Sequence, residues 1–207
     1  MKNILLVLFV LNLIISCKVN NKNEDPKDTV ILKENKPRSK SDSTPRNAPI
    51  INIVDTVALP YHFISVKDSA VNNIRLSLKL GFIYSDRLSN LIKHSKLKIT
   101  GHPMACYKTQ KAPFFFEAGI AIDKKPAKLE PGIIYKHIGK RKVIVAHFFG
   151  PYEETVQAYQ ILNDWLKDNK KKAIDKPYEI YVEDPLDENG KAKDPYQVQT
   201  DIVIPYE

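Results

Sequence analysis

Two stretches of this 207-residue chain can be laid on one another, and that repeat limits the possible folds more than any other feature. Pro103-Met104-Ala105-Cys106-Tyr107 matches Pro177-Tyr178-Glu179-Ile180-Tyr181, and Phe116 to Ile122 matches Thr200 to Tyr206. The order of strand-like and helix-like patterns around them repeats as well. Tyr61 to Lys67 reads as a strand, after which Leu80, Tyr84, Leu88 and Leu91 fall at helical spacing, in a stripe widened by Leu76 and Ile83. A helical glycine costs roughly 1 kcal/mol relative to alanine, so Gly81 predicts a break. Met104 to Thr109 and Phe114 to Ile122 follow as strands joined at Gln110-Lys111. The second pass starts with Ile133 to Ile138, a Gly139-Lys140 turn that suits a hairpin, and Val143 to Phe148. Gly150-Pro151 opens a helix whose apolar stripe is Tyr152, Tyr159, Leu162 and Leu166, with Trp165 on its shoulder. Tyr178 to Val182 and Val198 to Ile204 close the fold across the polar loop Asp184 to Pro195.

Each half is then a helix on a small antiparallel sheet. Neither has much core alone, so the predicted class is α+β, with two pseudo-symmetric halves packed together.

The N-terminus has a different character. Met1-Lys2-Asn3 precedes an apolar run from Ile4 to Ile15, broken only by Asn12, and then Ser16-Cys17. This is the layout of a secretion signal, and the run is shorter than the roughly 20 residues a spanning helix needs. Ile14-Ile15-Ser16-Cys17 resembles the lipobox of bacterial lipoproteins. That resemblance implies cleavage after residue 16, lipid on Cys17, and membrane anchoring in the bacterial cell envelope. Residues 17–49 are rich in Lys, Asn, Asp, Ser and Pro, interrupted at Val30-Ile31-Leu32; they read as a flexible tether, and residues 50–207 as the folded domain.

Lipid on Cys17 leaves Cys106 as the remaining cysteine, so no intrachain disulfide is expected. The formal charge of +8 is dispersed, with runs at Lys140-Arg141-Lys142 and Lys170-Lys171-Lys172 where a turn and a helix end are expected. Such runs read as a solvated face, and no nucleic-acid partner is expected. The histidines His62, His94, His102, His137 and His147 lack metal-ligand spacing, and no Gly-x-Ser-x-Gly occurs. No cofactor, metal or catalytic motif is predicted.

His147-Phe148-Phe149-Gly150-Pro151-Tyr152-Glu153-Glu154, Ala158-Tyr159, Trp165-Leu166, Pro177-Tyr178-Glu179-Ile180-Tyr181 and Thr200-Asp201-Ile202-Val203-Ile204-Pro205 together resemble the GyrI-like small-molecule-binding domain, the effector-binding half of many AraC-type regulators. The first half fits more loosely, through Ile99 to Pro103 and Phe115 to Gly119. The resemblance implies a ligand groove between the two halves, with aromatic walls and a strand glutamate that matches Glu179. It also implies hydrophobic or cationic organic ligands. A signal and tether stand where regulators carry a DNA-binding domain, so neither direct transcriptional control nor gyrase inhibition is expected.

Alternation along a strand makes the same case for Glu179 independently. Tyr178, Ile180 and Val182 share one face, expected to be apolar and buried, whereas Glu179 and Tyr181 share the other. A carboxylate in a partly desolvated aromatic groove suits a cation, through charge and through ring-face contacts of about 0.5 to 2 kcal/mol. Ala105 occupies the counterpart of Glu179, while Tyr107 and Tyr181 match. The candidate ligand residues are therefore Glu179, Tyr181 and Tyr107, with Trp165 and Phe116 as possible walls. Two other readings stay open: a small-molecule hydrolase with Glu179 as general base, and a non-catalytic envelope interaction protein. Replacing Cys17 by Ser is expected to move the protein from the membrane pellet to the supernatant on sedimentation; a variant that still pellets with membranes removes the lipid anchor.

Overall fold

The computed structural model describes residues 48–109 and 111–207. The signal run, Cys17, Val30-Ile31-Leu32, nearly all of the segment read as a tether, and Gln110 of the expected Gln110-Lys111 connection lie outside these residues.

Eight strands form one antiparallel sheet: β1 (Ile50–Ala58), β2 (Tyr61–Ala70), β3 (Ile99–Tyr107), β4 (Phe114–Ile122), β5 (Ile133–Ile138), β6 (Arg141–Phe149), β7 (Tyr178–Tyr181) and β8 (Gln199–Pro205). Their spatial order is β1-β6-β8-β7-β3-β4-β2-β5. Exchanging β1 to β4 with β5 to β8 reverses this order onto itself, so a pseudo-two-fold axis passes between β7 and β3. The two small sheets expected from sequence are fused at that axis.

The register makes the symmetry specific. One row of directly opposed residues crosses the sheet as Ile53, Ala146, Ile202, Glu179, Ala105, Ala118, Val66 and Ile133. Ala105 and Glu179, matched in the sequence repeat, face each other on the axis itself. The repeat is therefore structural.

Each half gives its first strand to the other: β1 pairs with β6, and β5 pairs with β2. This corrects the expected hairpin at Gly139-Lys140, because β5 and β6 lie near opposite ends of the strand order and do not pair. In a flat sheet they would stand about 29 Å apart, six spacings of roughly 4.8 Å. The link from Ile138 to Arg141 reaches at most about 11 Å. The sheet must therefore curl until its ends approach. The link between Ala58 and Tyr61 imposes the same closure from the other half. Strand β1, not anticipated from sequence, completes this seam.

The α-helices pack on one face, the convex one. Helix α1 (Asn73–Phe82) starts at Asn72, whose side chain accepts from the Arg75 N–H. It runs into a π-helical segment (Ile83–Leu88) and α2 (Ser89–His94). The break expected at Gly81 is thus a change of helical pitch two residues later. Ile83 and Leu88 are both buried although five residues apart, a spacing an α-helix would rotate by roughly 140°. A π-turn brings them back to one face. Leu76, Ile83, Leu88 and Leu91 meet Ile64, Val66, Ala118 and Ile120, while Ala158, Leu162 and Leu166 of α3 (Thr155–Asp168) meet Ile144, Ala146 and Ile202. The concave face buries Val143, Val145 and Val203 against Ala58, Tyr178 and Ile180 without a helix. Among the described residues no helix is long and apolar enough to cross a membrane.

Curling brings side chains close to backbone on the concave side. A methyl at Gly119 would lie 2.4 Å from both the Ile64 carbonyl oxygen and the Phe63 ring. Gly119→Ala is accordingly expected to destabilise the fold by about 1–3 kcal/mol, read as a lower urea midpoint with an unchanged slope.

Candidate functional site

Glu179 sits at the centre of the sheet, fully buried beneath the helices. Strand alternation turns it and Tyr181 toward the convex side, and Tyr178 and Ile180 toward the concave side, as expected. Burial falls the other way from the sequence reading. The acid-bearing side of β7 is the drier one, and Tyr178 and Ile180 are only partly buried. Helix α3 covers the carboxylate, and a four-residue pattern carries no information about that cover.

Three phenols hold the carboxylate. Tyr159 donates to Oε1 at 2.9 Å; Tyr152 and Tyr181 donate to Oε2 at 2.8 and 3.2 Å. The Tyr107 and Tyr181 hydroxyls are 2.7 Å apart, so a donor chain runs from the first half through Tyr181 to Glu179. Tyr84, in the π-segment, sets its ring edge-on to Tyr181 at 6.5 Å and donates to the Met104 carbonyl at 2.8 Å. No ion pair among the described residues involves Glu179. Phenol dipoles therefore do work that a buried carboxylate usually assigns to a cation.

The balance shows in the acidities. Burial raises the Glu179 carboxyl above its ordinary range, against the opposing pull of the bonds from Tyr152, Tyr159 and Tyr181. Burial, and then the nearby Glu179 charge, push the Tyr107 phenol to about 12 and raise Tyr152 and Tyr181 as well, and burial, followed by Tyr107, raises Tyr84. All four remain protonated at neutral pH. Burial favours the neutral acid, and the hydroxyls that donate to its oxygens pull the other way.

Of the residues singled out from sequence, Glu179, Tyr181 and Tyr107 are brought into one network, and Phe116 stands beside Tyr107 with ring centres 6.2 Å apart. Trp165 lies elsewhere, edge-on to Tyr206 at 5.4 Å. Ala105, opposite Glu179 and fully buried, leaves the carboxylate its space. Tyr152 and Tyr159 were read as core stripe and missed as site residues. A signal existed: a tyrosine on a buried stripe needs a hydroxyl partner, and Glu179 is an acid on the strand beneath.

Tyr152 is also the accessible member. It is 42% exposed, although its hydroxyl reaches the buried acid. It belongs to a single 3-10 turn (Tyr152–Glu154) without a side-chain cap, anchored where the Thr155 hydroxyl donates to the Tyr152 carbonyl at 2.8 Å. Among the described residues no group of His, Cys, Asp and Glu is arranged to hold a metal.

Comparison with known proteins gives this geometry a setting. Residues 102–207 match the family described as the GyrI-like small molecule binding domain. The chain is similar to the C-terminal domain of EcmrR, with 19% identity over 76% of this chain and 98% of that one and a TM-score of 0.62. It is also similar to EcmrR in a DNA complex, at 20% identity and TM-score 0.61, covering 76% of this chain and only 57% of that one. A hydrolase from Listeria innocua shares 13% identity over 75% of this chain and 91% of its own, with a TM-score of 0.55. Identities this low speak to fold alone. A comparison with curated proteins finds no match.

A folded-state pKa raised above its ordinary value of 4.5 gives Glu179 a definite signature. Its contribution to stability is complete below that pH and is lost as pH rises through the folded value. The difference in urea midpoint between wild type and Glu179→Gln is therefore expected to shift in favour of the variant from roughly pH 5 to pH 8. A difference independent of pH would mean that the carboxyl titrates normally.

Proposed function

This chain belongs to the GyrI-like small-molecule-binding domain family, and we propose that the Glu179 cage is the site where it takes a hydrophobic or cationic organic molecule. The observation that carries this reading is a buried carboxylate bonded by Tyr152, Tyr159 and Tyr181 and paired with no cation among the described residues. An incoming organic cation supplies the charge that the phenols replace only in part, and the low dielectric around the site strengthens that attraction. The faces of Tyr107, Tyr181 and Tyr84 offer cation–π contact once the ligand is inside. Tyr152 controls access: a rotation of its half-exposed side chain uncovers Oε2 without disturbing the buried Tyr159.

A second reading has its own support. A glutamate whose pKa is raised by burial is suited to act as a general base, and a fold neighbour from Listeria innocua is named a hydrolase. In that case Glu179 would accept a proton from water while the phenols oriented it. For either reading, we propose that lipid on Cys17 holds the domain at a membrane of the bacterial envelope, which restricts its ligands to those met there.

Fluorescence anisotropy with a cationic aromatic dye tests the first reading. Glu179→Gln is expected to lower affinity about tenfold or more, the scale of a lost charge contact in a partly desolvated site. Tyr152→Ala is expected to speed association by removing the cover. Equal dye affinity in wild type and Glu179→Gln removes the carboxylate from recognition; hydrolysis lost in the variant with binding retained selects the enzyme.

A further inference from the structure

The concave face of the curled sheet holds a groove of about 540 Å³, on the side of β7 away from Glu179. Its floor is Met104 and Cys106, and the Phe63 ring lies down over Gly119, as the contact of 2.4 Å to an added methyl shows. Tyr61 meets Phe63 edge-on at 6.1 Å. On the opposite wall the Arg141 guanidinium covers the Tyr178 ring at 5.7 Å. Phe115, 49% exposed, stands at the rim. Tyr61, Ile138 and Arg141 come from the two links that force the sheet to close, so the groove is a product of the seam.

The charges lining it are unequal. Lys67, Lys108, Lys136, Arg141 and Lys176 face Asp68, Glu117 and Asp175. Every acid is already engaged: Asp68 with Lys79 at 2.6 Å, Asp175 with Arg141 at 3.0 Å, and Glu117 with both Lys136 and the Ser65 hydroxyl. Against its own burial, those bonds hold the Glu117 carboxyl below its usual range, so it stays ionised and committed. Lys67, Lys108 and Lys176 form no ion pair among the described residues. Arg141 keeps a buried Nε without an acceptor there. The groove thus joins an aromatic bed to unbalanced positive charge, the reverse of the Glu179 cage.

We propose that this groove is a second ligand site, for a flat amphipathic organic anion such as an aryl or short acyl carboxylate, sulfonate or phosphate. The apolar body lies between Phe63 and Tyr178, and the anionic head turns to Lys67, Lys108 and Lys176 at the rim. The sheet separates it from the cation site, so the two are occupied independently.

Titration calorimetry of the full chain with a matched pair of probes, 2-naphthalenesulfonate and 2-naphthyltrimethylammonium, tests this. The sulfonate is expected to bind saturably, to weaken at least tenfold in Lys67→Glu/Lys176→Glu, and to be unchanged in Glu179→Gln. The ammonium probe is expected to show the opposite dependence. All three lysines are exposed, so their variants should melt with wild type, and Lys108→Glu gives an independent reading of the same rim. The proposal is overturned if the sulfonate does not saturate, if lysine reversal leaves its affinity unchanged, or if Glu179→Gln abolishes its binding. Failure of the ammonium arm alone bears on the Glu179 cage and not on this groove.

Discussion

Hydrogen bonds from tyrosine to one buried carboxylate tie the centre of this protein together. Glu179 joins the 3-10 turn and α3, through Tyr152 and Tyr159, to the strand that meets the other half. Tyr181 extends the network to Tyr107 in that other half. Taking a carboxylate out of water costs several kcal/mol even after relaxation, and a hydrogen bond to a charged group returns about 1.5–3 kcal/mol. Three such bonds roughly offset the cost and leave no large surplus. The centre of the molecule is consequently held together by bonds whose net contribution is small.

The frame around it is stiff by comparison. Two-residue links at Leu59-Pro60 and Gly139-Lys140 force a sheet of eight strands to curl, and strand exchange makes each half complete the edge of the other. Helices fill the convex side, so that the concave side must bury Val143, Val145 and Val203 by curvature alone. One constraint therefore produces two environments. Over β7 and β3 the convex side is acidic and dry; below them the concave side is aromatic and basic.

Much of this was legible in the residues. Laying Ala105 on Glu179 and Phe116 to Ile122 on Thr200 to Tyr206 anticipated the register, because equivalent strands in two halves must present the same alternation to the same core. Strand exchange was not legible: Gly139-Lys140 has hairpin chemistry, and nothing local states that β5 pairs with β2 instead. Strand β1 was passed over because its pattern of Ile50, Asn52, Val54 and Val57 serves an edge and not a core, and several of its apolar residues remain exposed. The cage was half visible. Glu179, Tyr181 and Tyr107 followed from strand alternation and the family resemblance, whereas Tyr152 and Tyr159 sit on a stripe whose apolar function hides their hydroxyls.

The position of Ala105 opposite Glu179 carries one more consequence. A residue standing on a true two-fold axis is present twice, so a symmetric dimer built from one such half would offer either two facing carboxylates or none. Two would share a proton or repel, and none would leave the phenols without an acceptor. Joining the halves in a single polypeptide releases the axis from that rule. A lone buried carboxyl group between two similar halves is therefore a property open to the covalent duplicate and closed to its homodimeric equivalent.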